Sequence, residues 1–389
     1  MVIIWSDYRL YFMKYIPQKH LENLREIIQP GKVIVIYGPR RCGKTTLLNE
    51  FLKGEKEKYL FASGEDVVVH DYLGSQSIEK IRSFVGDNAL LVIDEAQKIK
   101  NIGTNLKLVV DHIKDVKVIA TGSSSFDLAQ HVGEPLTGRK YTLKLFPLAQ
   151  LEIGQTENRA QTEANLENRL IYGSYPEIVL IQDNRKKELY LKEIVSSYLY
   201  KDILELEGIR HSGKITRLLQ LLSFQIGKEV SYNELGTQLG MSKNTVDRYL
   251  DLLEKSFVIY RRNGFSRNLR TEISKNCRYY FIDNGIRNAL ISNFNPLTLR
   301  NDVGMLWENY LITERLKKQE YSSQSVNTYF WRTYDLKEID LVEETAGHIH
   351  GYEMKWTQKK TTPPKLWLKT YPNASFQVIS RDNYFEFIN

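Results

Sequence analysis

A short apolar strand, a glycine-rich turn and the start of a helix follow one another between residues 33 and 48. This succession constrains the fold more than any other feature of the chain. Residues 38–45 have the pattern G-x-x-x-x-G-K-T, and Gly38 and Gly43 let the backbone curl so that several N–H groups point at one phosphate chain. The helix that follows adds the partial positive charge of its N-terminus. The pattern predicts a phosphate-binding loop (P-loop) in an α/β fold.

The P-loop predicts that the chain binds ATP and Mg²⁺. Lys44 can reach the β- and γ-phosphates, and the hydroxyl of Thr45 can bind Mg²⁺. The nucleotide-binding residues expected from the motif are Gly38, Pro39, Arg40, Arg41, Cys42, Gly43, Lys44, Thr45 and Thr46. The alternative is a glycine turn that precedes a helix by chance, and it requires the strand, the spacing, the lysine and the threonine to coincide.

Two carboxylates end a second apolar run, residues 89–93. A continuous apolar run of this length is typical of a parallel strand that is covered on both faces. We expect Asp94 to hold Mg²⁺, directly or through water, and Glu95 to orient and activate the attacking water as a catalytic residue. The alternative is a pair of surface charges at a strand end.

A third strand, residues 116–121, is followed by a glycine and three serines. We expect a polar residue at its end to lie between the other two strands and to contact the γ-phosphate or the water. Ser123 is our first choice and Thr121 our second, and the alternative role of such a serine is a helix N-cap. Further on, a loop carries Arg139, which is either an arginine finger for the ATP of a neighbouring subunit or a solvated side chain.

The spacing of these motifs narrows the choice among P-loop proteins. Fifty residues separate Lys44 from Asp94, which leaves room for one intervening strand and its helices. The tetrapeptide 94–97 (DEAQ) resembles superfamily 2 helicases, but no second motor domain follows. The first 150 residues instead resemble the AAA+ ATPases. The resemblance is carried by residues 38–45, 94–95, 121–125 and 138–139. It implies a ring or another homo-oligomer, since an arginine finger acts across a subunit interface.

Two shorter motifs extend the resemblance beyond the first 150 residues. Residues 172–178 read Y-G-S-Y-P-E-I and residues 198–203 read Y-L-Y-K-D-I. Together with the P-loop they resemble a group of archaeal and bacterial AAA+-type ATPases with a characteristic C-terminal region. The residues themselves predict only a turn between helices for 173–177. The predicted domains are an ATPase domain (1–150), a helical connector or lid (151–204), a winged helix-turn-helix (205–270) and a nuclease-like α/β domain (271–389).

Residues 205–270 have the pattern of a winged helix. Ser231 and Ser242 are placed as N-caps of two consecutive helices joined by a short turn. Near the start of the second helix, the end that enters a DNA major groove, the outward residues are Lys243, Asn244, Thr245 and Arg248. A basic hairpin follows, with the residues Lys255, Arg261, Arg262, Arg267, Arg270, Lys275 and Arg278 against one acid, Glu272. We predict DNA binding through this region. The alternative is a protein-binding or lid element.

Charged residues alternate on two predicted strands of the last domain. Glu353 and Lys355 share a strand face, and Asp340 lies on the adjacent strand. Two acids and a lysine suit Mg²⁺-dependent phosphodiester hydrolysis, in which the acids hold the metal and the lysine helps to activate water. The set resembles the PD-(D/E)xK core of restriction-endonuclease-like domains, although Ile339 replaces the proline of that motif. The resemblance implies Glu308 as a further, helical acid and the three acids as metal ligands. The alternative is a solvated strand face.

Composition and charge limit the partner and the compartment that can be expected for this chain. A net charge of +7 suits a polyanionic partner. The two cysteines, Cys42 and Cys277, cannot build a disulfide framework or a zinc site, which favours a reducing compartment. No apolar run approaches the roughly 18 residues that a membrane span requires. We therefore predict a cytoplasmic ATPase that binds and remodels DNA, with metal-dependent DNA cleavage as an added activity. The alternatives are a nucleotide-dependent switch that binds protein partners and an ATP-gated defence nuclease.

Overall fold

A computed structural model describes residues 15–123, 136–207, 212–266, 277–333, 337–357 and 361–389, with the backbone alone for 197–207 and 212. The first part of the chain forms a five-stranded parallel sheet in the order β2-β3-β4-β1-β5. Its strands are β1 (Val33–Tyr37), β2 (Tyr59–Ser63), β3 (Leu90–Asp94), β4 (Lys117–Gly122) and β5 (Lys140–Lys144). Strand β4 thus lies between β1 and β3, as the sequence predicts, so the ends of these three strands meet at one edge of the sheet.

Helices cover both faces of this sheet. They are α1 (His20–Ile27), α2 (Lys44–Lys53), α3 (Val67–Leu73), α4 (Ile78–Val85) and α5 (Ile102–His112), with a 3₁₀ turn at Ala96–Lys98. Along β1, Val33 and Val35 pack into one apolar cluster while Ile34 and Ile36 pack into another. Successive strand residues point to opposite faces, so an uninterrupted apolar strand needs a helix layer on each side.

The part of the chain predicted as a connector is largely helical. Its helices are α6 (Gln150–Ile153), α7 (Arg159–Tyr172), α8 (Pro176–Leu180), α9 (Asn184–Glu207) and α10 (Ser212–Ser223). Gly173 ends α7 with a φ of 75°, and Pro176 opens α8 in the first helical turn, where its missing N–H costs no hydrogen bond. The predicted turn at 173–177 therefore exists.

Two short helices and a small antiparallel sheet follow. The elements are β6 (Glu229–Val230), α11 (Tyr232–Leu239), α12 (Lys243–Lys255), β7 (Ile259–Asn263) and β8 (Cys277–Phe281). The side chains of Ser231 and Ser242 accept hydrogen bonds from the amides of Glu234 and Thr245, as the predicted N-caps require. Gly240, with a φ of 59°, ends α11 and makes the turn into α12.

The last part of the chain packs helices against a four-stranded sheet in the order β12-β11-β10-β9. Its elements are α13 (Asn284–Leu290), α14 (Val303–Tyr321), β9 (Asn327–Arg332), β10 (Glu338–Thr345), β11 (His348–Met354), α15 (Lys365–Thr370), β12 (Ser375–Ile379) and α16 (Tyr384–Ile388), with a 3₁₀ turn at Leu297–Leu299. Strand β10 is antiparallel to both β9 and β11, whereas β12 runs parallel to β11.

One apolar cluster joins the connector, the two-helix region and the last sheet. It contains Leu170 of α7, Leu250 of α12, Trp307 of α14 and Ile379 of β12. The three predicted domains after residue 150 thus share a core, and their boundaries stay predictions. Over the ranges described above, no helix is both long and apolar enough to cross a membrane.

Candidate functional site

The P-loop lies between the carboxyl end of β1 and the start of α2. A side chain at Gly38 would place its Cβ 2.1 Å from the carbonyl oxygen of Leu145, so only glycine fits there. Gly43 has a φ of 95°, a left-handed conformation that glycine adopts without strain. Both predicted glycines are therefore required by the backbone. Cys42 is buried, and burial raises the pKa of its thiol, so we assign it packing and backbone contacts only.

Lys44 is buried at the centre of the loop. Its Nζ donates hydrogen bonds of 2.9 Å to the carbonyl oxygens of Gly38 and Pro39. The ammonium is thus enclosed by the turn that the sequence assigns to phosphates. A bound triphosphate would offer it charged acceptors in place of two carbonyls, and charge-assisted hydrogen bonds are roughly twice as strong as neutral ones.

The two magnesium ligands that were predicted near the P-loop, Thr45 and Asp94, are in contact. The hydroxyl of Thr45 donates a 2.7 Å hydrogen bond to Oδ2 of Asp94, and the hydroxyl of Thr121 donates to Oδ1. Thr121 also accepts a 3.2 Å hydrogen bond from the amide of Glu95. The Asp94 carboxylate is therefore held by one hydroxyl from the helix after the P-loop and one from β4. An oxygen pair of this kind, a hydroxyl beside a carboxylate, suits Mg²⁺.

Glu95 and Ser123 are linked through a residue that the sequence did not single out. The side-chain amide of Gln97 donates to Oε2 of Glu95 at 2.5 Å and to the hydroxyl of Ser123 at 3.2 Å. Glu95 itself adopts a left-handed backbone conformation with a φ of 52°, which is uncommon for a residue with a side chain. Of the two candidates at the end of β4, Thr121 contacts Asp94 directly, and Ser123 is linked to Glu95 through Gln97.

A cavity of about 570 Å³ opens beside the P-loop. It is lined by the P-loop and α2 residues Arg40, Arg41, Gly43, Lys44, Thr45 and Thr46, and by Glu95. The lining also includes the apolar residues Ile16, Leu148 and Pro176 and the polar residues Glu177 and Tyr190. The turn at 173–177 and helix α9 thus contribute to the predicted nucleotide site, which the sequence did not indicate.

Arg139 lies at the other end of the sheet. Its carbonyl accepts a hydrogen bond from the amide of Val33, the first residue of β1, whereas the P-loop follows the last residue of that strand. Its Nε is 2.6 Å from Oδ1 of Asp111. Arg139 therefore cannot reach the P-loop of its own chain, and a catalytic role requires a second subunit.

The predicted DNA-contacting residues divide into two groups. Lys243, Asn244 and Arg248 are exposed at the start of α12, and Thr245 is half-buried, where its hydroxyl contacts Ser242. The wing prediction needs correction because Arg262 is buried, with its guanidinium over the rings of Tyr260 and Tyr280.

Other basic residues of the predicted wing are buried or paired with acidic side chains. Arg278 is 2% exposed, Arg261 lies 3.7 Å from the carboxylate of Glu254, and Lys255 pairs with Asp251. Arg267, Arg270 and Lys275 lie outside the described residues. The number of basic residues in this segment of the sequence therefore overstates the positive charge that the hairpin exposes to a phosphate backbone.

The predicted residues of the last sheet do come together. Strands β10 and β11 pair with Leu341 opposite Tyr352, which puts Asp340 beside Glu353. The amide of Met354 donates a 2.8 Å hydrogen bond to Asp340, and Lys355 donates one of 2.5 Å to Glu353. Burial, and then the carboxylates of Glu308 and Glu353, raise the pKa of Asp340 well above its ordinary value.

One buried cation, Arg278, lies beside these acids. A guanidinium nitrogen of Arg278 is 3.8 Å from Asp340, and another is 2.6 Å from Glu338. Glu308 accepts a 2.8 Å hydrogen bond from the hydroxyl of Tyr280. Within the described ranges, no group of three or more His, Cys, Asp or Glu side chains is arranged to hold a metal ion. Metal binding by Glu308, Asp340 and Glu353 therefore stays a prediction.

Comparison with protein-family models gives three matches. Residues 30–154 match an AAA domain, residues 163–297 match a domain of unknown function (DUF8612), and residues 303–375 match another (DUF4143). Residues 30–154 therefore form an AAA-type ATPase domain, which confirms that part of the sequence-based assignment.

Curated relatives cover most of the chain. An uncharacterised protein of Mycobacterium tuberculosis is 26% identical over 341 residues, 86% of this chain and 73% of that protein. One of Methanocaldococcus jannaschii is 25% identical over 387 residues, 91% of this chain and 85% of its own.

Among solved structures, a Walker-type ATPase of Pyrococcus abyssi overlaps with a TM-score of 0.43 at 16% identity, covering 70% of this chain and 93% of that one. A RuvB variant of Thermotoga maritima overlaps with a TM-score of 0.30 at 18% identity, covering 62% and 85%.

Proposed function

We propose that this chain binds ATP with Mg²⁺ and hydrolyses it, and that it couples the nucleotide cycle to DNA. The observation that carries the proposal is the contact between Thr45 and Asp94 beside the buried ammonium of Lys44. Phosphoryl transfer is catalysed mostly by positioning and by charge stabilisation, so a fixed lysine and a hydroxyl–carboxylate pair are the parts that it needs.

Each residue of the site then has a defined task. Lys44 and the loop amides bind the phosphates, while Thr45 and Asp94 hold the metal. Mg²⁺, when bound, neutralises charge on the phosphate oxygens. Glu95 orients the water and takes up its proton, and Gln97 fixes the carboxylate of Glu95 in place. Thr121 holds the side chain of Asp94 and the backbone of Glu95 in place through its two hydrogen bonds.

The proposed DNA contact uses the start of α12. Lys243 and Arg248 are exposed there, and the positive net charge of the chain favours a polyanion. The competing proposal is a nucleotide-dependent switch in which the same helix binds another protein. ATPase rates with and without duplex, single-stranded and branched DNA separate the two, because stimulation by DNA supports coupling and indifference to all three supports the switch.

A homo-oligomer is part of the same proposal. Arg139 lies at the sheet end opposite to its own P-loop, so it can complete a site only across a subunit interface. This arrangement would make ATP turnover depend on protein concentration.

The test of ATP hydrolysis uses Glu95→Gln. This variant should bind ATP as tightly as the wild type and release phosphate at least about a hundredfold more slowly, because only the water-orienting group is lost. The matched control is Glu79→Gln, at an exposed position of α4. Wild-type turnover by Glu95→Gln would remove Glu95 from the mechanism.

Cleavage of DNA at the last sheet is a second candidate, favoured by one observation. Oε2 of Glu353 is buried and has no hydrogen-bond partner among the described residues, next to the acid with a strongly raised pKa. Mn²⁺ titration of the wild type and of Asp340→Asn, with labelled DNA present, tests it. Binding and cutting by the wild type alone would support cleavage. An absence of both in the wild type would leave the cluster a structural one.

A further inference from the structure

The turn at 173–177 is fixed at the edge of the nucleotide cavity. A Cβ at Gly173 would lie 2.0 Å from Oδ1 of Asp283, and Oδ2 of that carboxylate accepts a 2.7 Å hydrogen bond from the amide of Ser174. Asp283 also caps α13 through the amides of two following residues. Because the turn is tied to this buried cap, α8 begins in a defined position and presents Glu177 from its first turn.

Glu177 and Tyr190 meet one residue of the P-loop. A guanidinium nitrogen of Arg41 is 3.9 Å from Oε2 of Glu177, and the guanidinium lies 5.5 Å from the centre of the Tyr190 ring. Arg41 has a φ of 60°, a left-handed conformation that costs free energy for a residue with a side chain. All three side chains line the cavity that also contains Lys44 and Thr45.

We propose that Glu177, with Tyr190, is a positioning residue of the ATP site: it holds Arg41, and thereby the P-loop, in the conformation that receives phosphates. The inference rests on the proposed ATP binding and gives the turn at 173–177 a function. Since Glu177 and Tyr190 belong to the connector and Arg41 to the AAA-type domain, the contact also couples nucleotide binding to the position of the connector. Burial, and then the carboxylate of Glu177, raise the pKa of Tyr190 to about 12.

A double-mutant cycle on nucleotide affinity tests the proposal. Arg41→Ala and Glu177→Ala should each weaken binding of a fluorescent ATP analogue about two- to fivefold, the range of a partly exposed ion pair with a cation–π contact. The double variant should be no weaker than the weaker single variant, because both changes remove the same contact. The effect should appear in KM with kcat nearly unchanged.

The matched control is the exposed pair of Arg159 and Glu163 on α7, whose removal should leave affinity unchanged. A second readout is hydrogen exchange of residues 173–190, which an unhydrolysed ATP analogue should slow in the wild type and not in Glu177→Ala. Additive losses in the double variant, or wild-type affinity in both single variants, would overturn the inference while leaving ATP binding intact. A wild-type protein that binds no nucleotide would instead refute the proposed function itself.

Discussion

The hydroxyl of Thr45 donates a 2.7 Å hydrogen bond to the carboxylate of Asp94, although 49 residues separate them. The contact exists because β1 and β3 run parallel with β4 between them, so the P-loop and the end of β3 lie at the same edge of the sheet. The contact shows that the P-loop and the acidic end of β3 belong to one site.

Thr121 is predicted to support this site from β4. Thr121→Val keeps the shape of the side chain but removes the donor to Asp94 and the acceptor for the amide of Glu95. Hydrogen bonds to charged groups contribute about 1.5–3 kcal/mol, so we expect kcat to fall about 10- to 100-fold. Steady-state phosphate release measures the change. Thr142→Val, on the exposed face of β5, should keep wild-type turnover, and equal losses in both variants would point to a general effect of valine.

Arg139 is predicted to act between subunits. Arg139→Ala should reduce turnover and leave ATP affinity unchanged, because the side chain lies away from its own P-loop. Mixing Arg139→Ala with Glu95→Gln should restore some activity, since a mixed interface pairs an intact Arg139 with an intact Glu95. Turnover that does not vary with protein concentration would argue against an interfacial role.

His20 is predicted to make stability depend on pH. Its Nε2 contacts the carbonyl oxygen of Lys144 at 2.9 Å, and burial lowers its pKa from 6.5 to about 4. A lowered pKa means that the unfolded chain takes up a proton first, so stability is lost as the pH falls from 6.5 towards 4, by at most about 3 kcal/mol.

Denaturant unfolding of the wild type and of His20→Gln at pH 7.5 and pH 5 isolates this contribution. The variant should lose less stability on acidification than the wild type. Glu152 acts in the opposite direction, because burial raises its pKa to about 7 and its protonation on acidification favours the folded state. Since Glu152 is present in both proteins, its effect cancels in the comparison. Identical pH dependence of the two proteins would exclude His20.

DNA affinity is predicted to depend on α12. Each phosphate contact contributes about 0.9 to the slope of log K against log salt on duplex DNA, so Lys243→Ala with Arg248→Ala should weaken binding to all sequences and flatten that slope by up to about 2. Electrophoretic or anisotropy titrations over a salt series measure both. Arg262→Ala should instead lower stability, because this side chain is buried against two tyrosines. An unchanged affinity in the double variant would favour a protein partner.

The sequence predicted the P-loop site because its signals are local: spacing, glycines, and acids at strand ends. The position of β4 between β1 and β3 was predicted in the same way, from a polar residue at the end of an apolar strand. The burial of Arg262 and Arg278 was missed because a charged residue in a strand carries no local sign of the aromatic rings that cover it. The roles of Gln97 and Glu177 were missed because each depends on a contact that only the folded chain creates.

Binding of a fluorescent ATP analogue in the presence of Mg²⁺ tests the central claim most directly. The wild type and Lys53→Ala, a control at an exposed position of the same helix, should bind with equal affinity. Lys44→Ala should lose binding at least about a hundredfold, because it removes the ammonium enclosed by the loop. Equal affinity in all three proteins, or no binding by the wild type, would contradict the assignment of this loop as the ATP site.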